Sequence, residues 1–175
     1  MVNTNFEEPW NYGFSIAIVT TGEFGTPGYL IKDINGDGID ELILGQNVTG
    51  SELYSTWDSI IYNIYSMSDG APVQVLNGWE RNRYYLCENG IIANEGISGA
   101  GNSNYSYFTF KESKLYLVES VIYDGMRDAD NPWFYSTKSV YDAEDAEPIN
   151  EERATEIRKK YTYERLAFIP FAGDN

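Results

Sequence analysis

Apolar and polar residues alternate over short stretches along most of this chain, which is the period of strands joined by tight turns. Phe14–Thr20 is the first such stretch. Tyr29–Lys32 runs into an acidic loop, and Leu42–Leu44 leaves it. Ile60, Tyr62 and Ile64 alternate with less apolar neighbours and predict a strand with one covered face. Ser68-Asp69-Gly70 then turns the chain into Val73–Leu76. Tyr84–Cys87 and Ile91–Ala93 flank Glu88-Asn89-Gly90. Asn-Gly between apolar runs predicts a tight hairpin, because both central turn residues need positive φ. Tyr105–Phe110 and Leu115–Tyr123 read as another hairpin across Lys111-Glu112-Ser113-Lys114. The Gly, Ser and Asn of Ser98–Asn104 predict a loop. Asp124–Glu147 reads as a long polar loop with local pairing around Trp133–Tyr135.

The pattern changes period once. Asn150 is a good N-cap, and Glu151 and Glu152 follow in the first turn, where negative charge suits the helix dipole. Ile149 and Ala154 occupy hydrophobic-staple positions, and Ala154, Ile157 and Tyr161 share one helical face. A helix over Asn150–Tyr161 is therefore expected, with Arg158, Lys159 and Lys160 in its last turn. A short strand over Arg165–Ile169 should return to the sheet. No segment repeats another. The expected fold is a single mainly-β domain over residues 1–175: an antiparallel meander of hairpins, propeller-like or barrel-like, with one C-terminal α-helix.

Composition sharpens this picture. Fifteen Tyr, eight Phe and four Trp suit strands and half-wet surfaces. Twelve basic against 27 acidic residues give a formal charge of −15, which repels nucleic acid and anionic membranes and attracts cations. Histidine is absent, so a Ser–His–Asp or Cys–His centre within this chain is excluded. Cys87 is the single cysteine, so no intramolecular disulfide forms, and its apolar run predicts a buried, inert thiol. No apolar stretch reaches the roughly 18 residues of a membrane helix, so no membrane insertion is expected. No signal peptide is legible at Met1-Val2-Asn3-Thr4.

The acidic loop carries the chemistry. Asp33, Asn35 and Asp37 stand at positions 1, 3 and 5 of Asp33-Ile34-Asn35-Gly36-Asp37-Gly38-Ile39-Asp40-Glu41. Gly36 and Gly38 permit the turning backbone that inward-pointing side chains require. Ile39 can offer its carbonyl at position 7, and Glu41 can close the shell at position 9. Calcium takes six to eight oxygens and suits such a set, whereas magnesium prefers fewer protein ligands. An EF-hand is excluded, because its twelfth position is Leu44 rather than a bidentate acid.

This stretch resembles the FG-GAP or VCBS-type calcium loop of integrin α-subunit propellers and bacterial surface proteins. The matching residues are Asp33, Asn35, Asp37, Gly38, Glu41, Leu42, Leu44 and Gly45, with Phe24-Gly25 upstream; Gln46-Asn47 replaces the usual Ala-Pro. More of the chain is similar to a bacterial group of secreted proteins and lipoproteins of unknown function. The resemblance implies a β-hairpin whose loop holds calcium to rigidify a sheet. It also implies an extracellular or cell-surface location, reached with an export signal since removed.

Other features carry less. Asp124, Asp128, Asp130 and Asn131 form a second acidic cluster with no trusted ligand spacing, and Asp142, Glu144, Asp145 and Glu147 read as solvated loop. Tyr105, Tyr107 and Phe108, or Trp57, Trp79 and Trp133, are candidates for sugar stacking, though strand aromatics usually serve the core. The expected function is a non-enzymatic, calcium-binding interaction or adhesion module whose partner is a surface protein or a glycan. A carbohydrate-binding module and a hydrolase using carboxylates alone are the alternatives.

Overall fold

A computed structural model describes residues 25–48, 59–79, 81–99 and 101–171. Among these, eleven strands build one antiparallel sheet. They are β1 (Gly25–Lys32), β2 (Glu41–Val48), β3 (Ser59–Ser68), β4 (Ala71–Asn77), β5 (Asn82–Leu86), β6 (Ile91–Gly99), β7 (Asn102–Lys111), β8 (Lys114–Asp124), β9 (Trp133–Ser136), β10 (Glu147–Pro148) and β11 (Ile169–Pro170). One helix, α1 (Glu151–Arg158), lies between β10 and β11. The spatial order is β10-β9-β8-β7-β6-β5-β3-β2-β1-β11, with β4 beside β3. The meander is as expected. It stays open, neither propeller nor closed barrel, because its two end strands each have one neighbour.

Local turn chemistry sets the register. Asp69 and Gly70 (φ 52° and 76°) join β3 to β4, and Asn89 and Gly90 (φ 62° and 71°) join β5 to β6. Both turns supply the positive φ that matches strand twist. Glu112 and Ser113 (φ 51° and 57°) turn β7 into β8, with Lys111 facing Lys114. Neither is a natural left-handed residue, so this turn is held by the ten-residue pairing behind it.

The core lies on both faces of the sheet. Ile60, Tyr62, Tyr85, Ala93, Tyr107 and Val121 pack beneath Ala154 and Ile157 of α1. Ile43, Ile61, Ile64, Leu86, Ile92 and Phe110 pack on the opposite face with Leu166. β3 therefore corrects the expectation of one covered face. Its first six residues are all buried, and the pairing with β2 skips Tyr62, which shifts Ile64 to the face of Ile61.

Three further boundaries differ. Ser98–Asn104 is largely strand, since β6 runs to Gly99 and β7 starts at Asn102. Of its polar residues, Asn104 is buried within the sheet. Asn104 Nδ2 donates to Asn94 Oδ1 (3.0 Å) and Ser106 Oγ (2.9 Å), and Asn94 Nδ2 donates to Asn82 Oδ1 (2.7 Å). The Arg165–Ile169 segment pairs with β1 at Ile169 and continues to Pro170. Before that it is held by side chains: Leu166 N donates to Ser59 Oγ, and Asn47 Nδ2 donates to the Leu166 carbonyl. The helix starts at the expected cap, where Asn150 Oδ1 accepts from Arg153 N at 2.9 Å, but ends at Arg158 instead of Tyr161. The expected strand Phe14–Thr20, with Phe24 and Trp57, lies outside the described residues.

Candidate functional site

The acidic loop joins β1 to β2, whose eight-residue pairing brings Lys32 opposite Glu41 and closes the loop at its base. Gly36 and Gly38 have φ of 77° and 86°, with open space where a Cβ would stand. Those left-handed residues turn successive amides toward the loop's own side chains. Asp33 accepts from Gly36 N at 2.7 Å on one oxygen and from Gly38 N at 2.9 Å on the other. Asn35 Oδ1 accepts from Asp37 N at 3.0 Å, and Asp37 Oδ1 accepts from Ile39 N at 2.8 Å. Asn35 Nδ2 also donates to Asp37 Oδ2 at 2.9 Å. The Gly38 amide above all, with the neighbouring amides, holds the Asp33 carboxyl below the usual aspartate range.

Glu41 differs from the other three. Its side chain is fully buried at the start of β2. It accepts from Ile34 N at 3.1 Å and from Ser66 Oγ at 2.9 Å. Burial holds its carboxyl above the usual glutamate range, and the charges of Asp37 and Asp33 add to the effect. Asp33, Asn35, Asp37 and Ile39 thus form the exposed rim of the loop, and Glu41 forms its buried base. The donor atoms are all hard oxygens, the kind calcium takes. Each carboxylate has about four lone-pair sites, and the hydrogen bonds above use two of them on Asp33 and on Glu41. In the arrangement described, no three carboxylate or thiol side chains converge as a metal-holding group among the described residues.

The loop borders an open cleft of about 1030 Å³, walled by the β3–β4 and β7–β8 turns. Ile39, Met67 and Tyr116 expose apolar surface there. The other acidic cluster is built from local turns. Asp124 Oδ1 accepts from Met126 N and Arg127 N, and Asp128 Oδ1 accepts from Asp130 N and Asn131 N. Cys87 is buried, and burial pushes its thiol up to about 12, as an inert core cysteine requires.

Two polar groupings escaped the sequence reading. Glu119, nearly buried on β8, accepts from Lys160 Nζ at 2.8 and 3.0 Å and from Tyr161 Oη at 2.6 Å. Burial opposes its charge, but these donors outweigh it and hold the carboxyl below the usual glutamate range. A charged residue on the core-facing side of an apolar strand was the available signal. The second grouping is a pocket of about 480 Å³ between α1 and the sheet, containing Glu95, Tyr107 and Tyr163. Tyr163 Oη donates to Glu95 Oε1 at 2.7 Å. Tyr85 stacks on Tyr163, and Tyr107 stacks on Tyr161. No helix among the described residues is long and apolar enough to cross a membrane. No family model, curated protein or solved structure matches the chain.

Proposed function

We propose that this chain is a calcium-stabilised interaction domain of the extracellular or cell-surface space, acting by binding and not by catalysis. The observation that carries the reading is the run of amide-to-side-chain hydrogen bonds in the Asp33–Glu41 loop, which orients three side chains at alternating positions before any ligand arrives. Calcium would be held by the Asp33, Asn35, Asp37 and Glu41 side chains and the Ile39 carbonyl, with water completing the shell. The chemistry of the donor set favours this. The charges of Asp37 and Asp33 oppose ionisation of Glu41, and a dication would relieve that opposition. Ligation requires the Asn35 amide to release Asp37 Oδ2 and the carboxylates to draw together.

The role is structural. The loop closes the β1–β2 hairpin, and Ile34 inside it packs in the core cluster of Ile43 and Leu86. Ordering this loop stabilises one end of the sheet and the cleft beside it, where a surface protein or glycan would dock. A ligand that binds only the folded state stabilises it by about 2.7 kcal/mol at a hundredfold excess over Kd. For a chain of this length that raises the melting temperature by roughly 5–10 °C. Thermal unfolding with calcium and with excess chelator tests this. The expected result is a rise of that size, abolished by Asp37→Ala; coincident curves for the unaltered chain would overturn the structural role.

A further inference from the structure

We infer that Ser66 of β3 makes the acidic loop select calcium over magnesium, by fixing the Glu41 carboxylate in place. The inference rests on the calcium reading of the loop and names the residue that sets its ion preference. Ser66 is 25 positions from Glu41, outside the loop and its ligand spacing, so only the fold brings the two together. Leu42 faces Tyr65 across the β2–β3 pairing, which sets Ser66, the next residue along β3, beside Glu41. Ser66 Oγ donates to Glu41 Oε1 at 2.9 Å, and Ile34 N donates to Glu41 Oε2 at 3.1 Å. Each carboxylate oxygen thus has one neutral donor and keeps a lone pair for a cation.

The chain's own cations leave this carboxylate alone. Lys32 stands opposite Glu41 in the β1–β2 register, but its ammonium reaches Glu164 at 2.9 Å. Among the described residues, no lysine or arginine forms an ion pair with Glu41. Buried carboxylates are paired with a cation or bound to a metal. Glu41 is fully buried and held by neutral donors, so the charge it calls for is that of an ion in the loop.

The two donors are themselves fixed. Ser66 is buried and paired with Val73 of β4. Ile34 is buried in the cluster of Ile43, Ile64 and Leu86, and Gly90 packs tightly against its carbonyl. The other side chains of the donor set are anchored differently. Asp33, Asn35 and Asp37 lie at the surface, and their hydrogen bonds stay within the loop. This contrast discriminates between ions by size. Calcium takes oxygens at about 2.3–2.6 Å in a flexible shell, whereas magnesium demands near-ideal octahedral geometry at about 2.0–2.1 Å. A shell closing on magnesium must contract by about 0.3–0.5 Å. The rim can follow, because its bonds lie within one turn. Glu41 cannot follow without stretching its bonds to β3 and to the core-anchored Ile34. Calcium therefore keeps the Glu41 ligand, and magnesium forfeits either that ligand or the hydrogen bonds behind it.

Calorimetric titration of the chelator-treated full chain with calcium chloride and with magnesium chloride gives the ratio of the magnesium Kd to the calcium Kd. Removing a hydrogen-bond partner of a metal ligand weakens binding by about 10–100-fold. Ser66→Ala should weaken calcium by an amount in that range and magnesium by much less, so the ratio should fall about tenfold or more. Ser66→Thr keeps the hydroxyl and should hold the ratio of the unaltered chain. A serine that only satisfies a buried carboxylate would lower the melting temperature in chelator and leave the ratio unmoved. Ser66→Cys, with a similar shape and a weaker donor, takes the place of Ser66→Ala if that chain does not fold, and the ratio should fall there too. Calcium binding by the unaltered chain, with a ratio that neither substitution changes, overturns the role of Ser66 and leaves the calcium site standing. An unaltered chain that binds no calcium overturns both.

Discussion

Removing the Glu119 carboxylate tests how α1 is fastened to the sheet. Glu119 on β8 is reached by two groups that follow the helix, Lys160 and Tyr161. Their contributions differ for a physical reason. The Lys160 side chain is about half exposed, so its ion pair is screened and worth about 0–1 kcal/mol despite two short contacts. The Tyr161 hydroxyl donates at 2.6 Å to a charged acceptor, and its ring stacks on buried Tyr107 with centroids 3.6 Å apart. A hydrogen bond to a charged group contributes about 1.5–3 kcal/mol. Tyr161→Phe should therefore cost about 1.5–3 kcal/mol and Lys160→Met less than about 1 kcal/mol. Glu119→Ala should cost at least as much as Tyr161→Phe, because it strands the hydroxyl. Urea unfolding is the assay, and a loss of 2 kcal/mol moves the midpoint by about 1 M. A double-mutant cycle should give strong coupling for Glu119 with Tyr161 and weak coupling with Lys160. The pH dependence follows from the sign of the shift. Glu119 has a lowered folded value, so its contribution is present above the ordinary glutamate value of 4.5 and is lost as pH falls through the folded value. The Glu119→Gln penalty should shrink over that window. A larger penalty for Lys160→Met than for Tyr161→Phe would show that the ion pair, not the tyrosine, fastens the helix.

Other outcomes follow from the same geometry. Gly90→Ala should cost more than Gly70→Ala, since both have positive φ but a Cβ at Gly90 would meet the Ile34 carbonyl while Gly70 faces open space; comparative urea midpoints check the order. Asn150→Ala should lower stability by about 1 kcal/mol by removing the bond from Arg153 N, read in the same assay. Cys87 should resist thiol reagents in the folded chain and react at once in denaturant, because it is buried with its thiol pushed up to about 12; equal labelling rates would contradict the packing.

What was legible in the sequence was local. Asn89-Gly90 and Asp69-Gly70 announce turns because few residues adopt the positive φ they show. Asn150 announces the helix start through a cap within one turn. The helix end was not legible. Ala154, Ile157 and Tyr161 continue one periodic face, but Tyr161 is drawn out of the helix by its stack on Tyr107 and its bond to Glu119, 42 positions away. Ser98–Asn104 looked like a loop because loops and buried amide ladders use the same residue types; only the partners, Asn94 and Ser106, tell them apart. The tail after Tyr163 reads as a strand from its apolar residues, yet Leu166 and Phe168 join the core with side chains in place of a ladder. In the acidic loop, spacing fixed which side chains share a turn. It did not reveal that Glu41 faces the interior, bound to Ile34 and Ser66, while Asp33, Asn35 and Asp37 stay at the surface.

Calorimetric titration of the chelator-treated chain with calcium decides whether the Asp33–Glu41 loop is a calcium site. A calcium site there gives saturable binding of one calcium ion per chain, much weaker binding of magnesium, and loss of the signal in both Asp33→Ala and Asp37→Ala. No saturable calcium binding, or binding that survives both substitutions, would contradict it.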